Sequence, residues 1–268
     1  MDIIVFLLAV IVSLVPSIFL YKWIQKKEKD EEYKRISKSA FIKGIIAIFP
    51  IILTSLIFNI IGAVSGLKGM NPILYQFYYK FIVLAFAEEI VKFLMFKKVL
   101  KKNQYKYSWY NLTILMIMVG LGFECIENVV FSIGTGVIEM FIKGISLGHA
   151  GYGFIMGWFY GKMQKTGKKK YGILSFIVPW LLHGFYDFGL SEELLALNDN
   201  FAIISVSLAV VSLILAFLII RFVRKRRDTE IYTEPLTRTI WKCRTRIIFL
   251  PMADEDKKKI YNKTLWTY

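Results

Sequence analysis

Apolar and polar positions fall along this chain in long blocks rather than in the period of a surface helix or strand. Seven runs are dominated by aliphatic and aromatic residues: about 3–23, 41–62, 74–96, 109–132, 137–161, 172–189 and 201–220. Each approaches or exceeds the roughly 17–25 residues a helix needs to cross the hydrocarbon core of a bilayer. The pattern predicts an all-α, polytopic integral membrane protein with about seven transmembrane helices. The run 137–161 is the least clean, because Glu139 and Lys143 interrupt its start. Its first turn or two is expected to lie along the membrane interface.

The polar blocks between the runs set orientation. Residues 22–38 carry seven Lys and Arg, and 97–106, 162–170 and 221–227 carry five each. The alternate connections hold Lys68, Lys143 and, in 189–200, no basic residue. Basic loops stay in the cytosol, so the N-terminus is expected outside and the C-terminus inside. The first run lacks a positive n-region and has Asp2 instead, so it reads as a retained helix rather than a signal peptide. The expected organisation is a transmembrane domain over 1–227, with its chemical core at about 74–190, and a basic cytosolic tail over 228–268.

Composition agrees. The chain has 268 residues, 56% of them hydrophobic, with a mean hydropathy of +0.51. That is too apolar for a soluble domain and fits a multi-pass protein of the cell membrane, with the bilayer as its first partner. The formal charge of +15 sits in short loops and the tail, so it reports topology and not a nucleic-acid-binding face. Cys125 lies in an apolar run and Cys243 in the tail, a spacing that suggests neither a disulfide nor a metal knuckle.

Against this background a few residues stand out. Glu88, Glu89, Glu124, Glu127 and Asp187 all lie inside apolar runs. Uncompensated, five such acids would cost on the order of 10–15 kcal/mol in a bilayer. They must therefore face one another, a cation or a water-filled cavity. Glu88 and Lys92, at i and i+4, can pair on one helix face, which leaves Glu89 without a local partner. Glu124, Glu127 and Asn128 share a turn. His183 and Asp187 are at i and i+4, a spacing at which a carboxylate can orient an imidazole. The other histidine of the chain, His149, opens a stripe with Gly153, Gly157 and Gly161 at four-residue spacing. Small residues so spaced let membrane helices approach closely, which places His149 on a buried face. Counted from the flanking aromatic and basic residues, Glu88 falls near the midplane and Glu124, Glu127 and His183 in the outer half.

The set Glu88-Glu89-x-x-Lys92, Phe123-Glu124-x-x-Glu127-Asn128, His149 and His183-x-x-x-Asp187 resembles the PrsW family of intramembrane proteases, in the clan of type II CAAX prenyl proteases and bacteriocin-processing enzymes. Each motif alone is weak; the four in order, each in its own hydrophobic run, cover about residues 85–190. The resemblance implies an endopeptidase that cuts a membrane-anchored protein, such as an anti-sigma factor. It also implies that the glutamate pair Glu88/Glu89 activates water and that His183 and Asp187 help hold the site.

One departure from the CAAX branch matters. Where that branch has Phe-x-x-x-His, this chain has Glu127 after Phe123, which leaves His149 to supply the second imidazole, as in the PrsW branch. The CAAX branch resembles a metal-independent glutamate protease, whereas the PrsW branch is described as metallo. His149, His183 and Glu127 also form a plausible zinc set with an open position for water. No H-E-x-x-H motif forces zinc. Two other readings stay open at this stage. One is an ion- or proton-translocating transporter, for which inverted repeats are expected and no self-similarity between halves is found. The other is a catalytically inactive relative that binds a membrane partner.

Overall fold

The computed structural model describes residues 3–69, 71–103, 107–133, 136–198 and 200–224. The basic tail expected over 228–268, with Cys243, lies outside the described residues. All regular elements among those described are helical. In chain order they are α1 (Ile3–Lys27), α2 (Glu31–Ile46), α3 (Ile48–Val64), α4 (Pro72–Tyr78), α5 (Ala87–Lys102), α6 (Trp109–Phe131), α7 (Val137–Ser146), α8 (Gly148–Thr166), α9 (Lys169–Gly189), α10 (Glu192–Leu195) and α11 (Phe201–Arg224). Tyr79–Phe86, joining α4 to α5, is a π-helical stretch.

Local chemistry explains several boundaries. The Asp30 side chain accepts the Tyr33 backbone N–H and starts α2, and Ser108 and Asn111 close a reciprocal capping box at the start of α6. Asn71 caps α4 with Pro72 in the first turn, where its missing N–H costs nothing. Lys26 and Lys27 end α1, and Arg221 and Arg224 end α11, so both long apolar helices finish in basic residues.

Among the described residues, four helical stretches are long and apolar enough to cross a membrane by length and composition: Ile3–Lys27, Glu31–Val64, Trp109–Phe131 and Phe201–Arg224. The protein is thus polytopic. Of the remaining runs, 172–189 is a single α-helix, α9, while 74–96 and 137–161 are helical but not uninterrupted α-helices of the predicted lengths. The run 74–96 belongs to a helical rod that passes through the π stretch, and 137–161 is divided at Leu147 into α7 and α8. Leu147 has φ 48° and ψ 42°, the left-handed region in which a branched residue is strained.

The most apolar window of α6 is 72% buried, against 22% for that of α1 and 24% for that of α11. α6 is therefore the central post, with α2, α8 and α1 packed around it, and α9 and α11 stacked outside α8. Glycine makes the close approaches possible. A Cβ on Gly122 would collide with the Phe41 carbonyl of α2, and one on Gly44 with the Val119 carbonyl of α6. A Cβ on Gly153 would lie 2.6 Å from the Met116 carbonyl and one on Gly157 2.7 Å from Thr113 Cα, so the predicted stripe does seat α8 against α6. Gly122→Val should separate α2 from α6. The expected result is a clearly lower Tm in detergent, on the scale of about 1–3 kcal/mol for overpacking; an unchanged Tm would show that this contact is not tight.

Candidate active site

The polar residues singled out in the sequence converge. Glu88 and Glu89 stand in the first turn of α5, Glu124 and Glu127 near the end of α6, His149 in the first turn of α8, and His183 and Asp187 near the end of α9. Packing of α8 and α9 against α6 and the α5 rod brings the two imidazole rings to 5.2 Å between centroids, edge to face.

Glu89 is the hub. Its Oε1 accepts from Lys92 Nζ at 2.7 Å and lies 2.9 Å from His183 Nδ1. The expected Glu88–Lys92 ion pair is present but long, and the expectation that Glu89 has no local partner is corrected. Lys92 Nζ is 3.8 Å from Glu88 Oε2, outside hydrogen-bond range, and its short contact is one residue closer in the helix. Residues at i+3 and i+4 are both neighbours on a helix. Tertiary packing chooses between them, because His183 approaches on the Glu89 side. A carboxylate only accepts, so His183 donates from Nδ1 and turns Nε2 toward Glu88 Oε2 at 3.9 Å and Asp187 Oδ2 at 3.4 Å.

Lys92 is buried to 1% exposure and also reaches His149 Nδ1 at 2.8 Å, with its ammonium 4.8 Å from the centroid of the Phe123 ring. His149 Nε2 is 2.8 Å from Glu127 Oε2, which in turn accepts from Lys143 Nζ at 2.9 Å. The Glu124 carboxylate accepts the backbone N–H of Ala150 at 3.3 Å, which ties α6 to the start of α8 beside His149. Every intramembrane acid thus has a cation, an imidazole or a backbone donor close by, as the cost of an isolated charge in a bilayer demands.

The exceptions are Glu88 Oε2 and Glu89 Oε2, both buried with no hydrogen-bond partner among the described residues. Of the two, Glu88 Oε2 faces the imidazoles, with Nε2 of His183 and of His149 3.9 and 4.0 Å away. Buried carboxylate oxygens are normally satisfied, so an unsatisfied one calls for a ligand, a water or an ion.

Three residues were not assigned to the site from sequence. Lys143, read there as an interruption of an apolar run, comes from α7 to bind Glu127. Tyr152 stacks on the His183 ring at 5.0 Å and 18°. Phe123 meets His149 edge-on at 4.8 Å. Lys143 carried the same signal as the acids, a charge inside an apolar run; Phe123 was visible only as the first residue of its motif, and Tyr152 carried no signal.

Fold and site together define a multi-pass membrane protein whose helices enclose a cluster of carboxylates and imidazoles. Residues 32–220 match the family described as "PrsW family intramembrane metalloprotease", and the chain belongs to that family of intramembrane proteases. It is similar to the protein named Protease PrsW in Oceanobacillus iheyensis, 28% identical over 180 residues that cover 66% of this chain and 80% of that one. Protease PrsW of Bacillus subtilis is 28% identical over 182 residues, 66% of this chain and 79% of its own. That of Halalkalibacterium halodurans is 31% identical over 151 residues, 55% and 66% of the two chains. No solved structure matches the chain.

The donor set can be tested against the metal that the family description implies. One ligand atom each from Glu88, His149 and His183 lie within 4.8 Å of one another. In a tetrahedral zinc site with bonds near 2.0–2.1 Å, neighbouring donors are about 3.3 Å apart, so a modest contraction would close the set. Glu88 offers its unsatisfied oxygen, and His183 offers Nε2 while Nδ1 is held by Glu89, the usual outer arrangement behind a metal-bound histidine. By donor type and position these residues fit a metal, with His149 hydrogen-bonded to Lys92 and Glu127 in the present arrangement. Glu127, included in the zinc set expected from sequence, is instead engaged by Lys143 and His149.

Proposed function

We propose that the chain is an endopeptidase that hydrolyses a peptide bond of a membrane-anchored protein, with Glu88 as the general base. The observation that carries this reading is the Glu88 carboxylate: a buried oxygen without a hydrogen-bond partner, facing both imidazoles. A water seated against it would be within the roughly 2.6–3.2 Å over which a base takes a proton. The chemistry follows in outline. Glu88 accepts a proton as the water oxygen bonds to the peptide carbonyl carbon. The C–N bond then breaks, and the proton passes to the leaving nitrogen.

The neighbouring groups have distinct tasks in this scheme. Glu89 fixes the His183 ring and neutralises Lys92. Asp187 sits on the Nε2 side of His183. The two imidazoles flank the place where the carbonyl oxygen gains charge. Glu124 and Glu127, with Lys143, anchor the start of α8 and hence His149. If a metal is held by Glu88, His149 and His183, it would supply Lewis-acid polarisation and a more acidic bound water, and Glu88 would then serve as a ligand in place of the base. The substrate class that fits is a single-pass protein with an accessible juxtamembrane segment; the family resemblance makes an anti-sigma factor the first choice.

The test is cleavage by purified protein in liposomes with a single-pass substrate. Wild type should cut it. His183→Ala should lose about 10²-fold or more, the usual scale for a general acid–base or positioning group, while remaining inserted and folded. Cleavage by His183→Ala at the wild-type rate would overturn the assignment.

A further inference from the structure

We propose that Lys92 decides the role of His149: while the Lys92 ammonium holds Nδ1, His149 is confined to donating a hydrogen bond, and it can ligate a metal only after Lys92 lets go. The inference rests on the site assigned above and concerns how that site is set. An ammonium has three donors and no acceptor. The 2.8 Å contact between Lys92 Nζ and His149 Nδ1 therefore consumes the lone pair at Nδ1. A neutral imidazole has one lone pair and one N–H, so the N–H is on Nε2. There it meets Glu127 Oε2 at 2.8 Å, which is an acceptor and is itself held by Lys143. The two contacts agree on one tautomer.

A metal needs a lone pair. At Nδ1 the lone pair is occupied by Lys92. At Nε2 it becomes available only if the N–H moves to Nδ1, where the facing ammonium cannot accept it. By either nitrogen, ligation requires Lys92 to leave His149. The same ammonium stands 3.8 Å from Glu88 Oε2, so it also opposes a second cation at that oxygen. Lys92 is not free to drift, because Glu89 holds it at 2.7 Å and the Phe123 ring lies against it. His183, by contrast, makes no contact with the ammonium: its Nδ1 is held by Glu89, and its Nε2 faces the Glu88 and Asp187 carboxylates. His149 is thus the conditional ligand, and Lys92 sets the condition.

The chain has two histidines, so nitrogen spectra of histidine-labelled protein contain two imidazoles. In chelator-treated wild type in lipid nanodiscs, the His149 ring is expected to be unprotonated at Nδ1 and protonated at Nε2, and His183 to show protonated Nδ1. His149→Gln and His183→Gln assign the two. A His149 ring protonated at Nδ1 in wild type would overturn the proposal without touching the protease reading, since no cleavage is measured. The second arm is zinc affinity, read by competition with a chromophoric chelator. Lys92→Met should bind zinc roughly 10–100-fold more tightly than wild type, the scale on which outer partners change metal affinity, and Lys92→Arg should stay near wild type. Equal or weaker zinc binding by folded Lys92→Met would overturn it. If Lys92→Met does not fold, the wild-type spectrum decides alone.

Discussion

Glu88→Gln abolishes cleavage of a reconstituted single-pass substrate and leaves the protein folded; this is the largest single effect expected from the site. A general base contributes about 10²–10⁴ in rate, and glutamine has the shape of glutamate without its basicity. The reason to expect intact folding is specific to this side chain. Glu88 Oε2 has no hydrogen-bond partner, and the cation facing it is 3.8 Å away. Neutralising it breaks no short contact. The next residue differs. Glu89 Oε1 takes both Lys92, at 2.7 Å, and His183, at 2.9 Å, so Glu89→Gln disturbs a buried ion pair and an imidazole together. Removing one partner of such a pair typically costs about 3–5 kcal/mol. Two adjacent carboxylates thus separate in one experiment. Glu88→Gln is folded and inactive, whereas Glu89→Gln is inactive and has a lower Tm in detergent. Wild-type cleavage by Glu88→Gln, or a fall in its Tm as large as that of Glu89→Gln, sinks the division of labour.

The residues that converge in the candidate site were legible in the sequence, and their wiring was not. A charge inside an apolar run is costly wherever it sits, so Glu88, Glu89, Glu124, Glu127, His149, His183 and Asp187 could be picked out without coordinates. The choice of partner is a tertiary matter. Helical spacing allowed Lys92 to serve Glu88 or Glu89 almost equally, and the approach of His183 from α9 decided for Glu89. The rod carrying Glu88 and Glu89 hid a second feature. Its Tyr79–Phe86 stretch is π-helical, with Trp180 Nε1 donating to the Phe81 carbonyl at 2.7 Å. A π stretch changes the angle per residue, so counting faces at 3.6 residues per turn across it loses phase. The division of 137–161 at Leu147 was missed for a related reason. Leucine gives no signal for a left-handed backbone, yet that conformation lets α7 turn back and deliver Lys143 to Glu127. The glycine stripe, by contrast, reported packing directly, because a missing side chain is visible in sequence.

A substrate cut by this protein should carry its new terminus on the extracytoplasmic side of its membrane helix. The argument joins loop charge to the placement of the cluster along the helices. Basic residues gather at one end of the bundle, at the end of α5 (Lys97, Lys98, Lys101 and Lys102) and where α8 gives way to α9 (Lys162, Lys165, Lys168, Lys169 and Lys170). The site lies toward the other end. Glu127 is four residues before the end of α6, His149 is the second residue of α8, and Asp187 is two residues before the end of α9. At about 1.5 Å per residue, Glu127 is some 27 Å along α6 from Trp109, most of the way across a hydrocarbon core of about 30 Å. If the basic loops are cytosolic, the cluster opens toward the outer leaflet, and water reaches it most directly from outside. α7 fits that position. Its Ile138, Phe141 and Ile145 are exposed and apolar, while Lys143 reaches inward to Glu127, as expected of a short helix lying in the interface over the site. Two measurements bear on this. Cysteine labelling with an impermeant reagent should mark a cysteine at position 195 and not one at position 165. Terminal sequencing of the cleaved substrate should place the cut on the outer side, releasing the external domain. A cut on the cytosolic side with the labelling as expected would show that the site opens inward despite its depth, and the reverse labelling would invert the whole assignment.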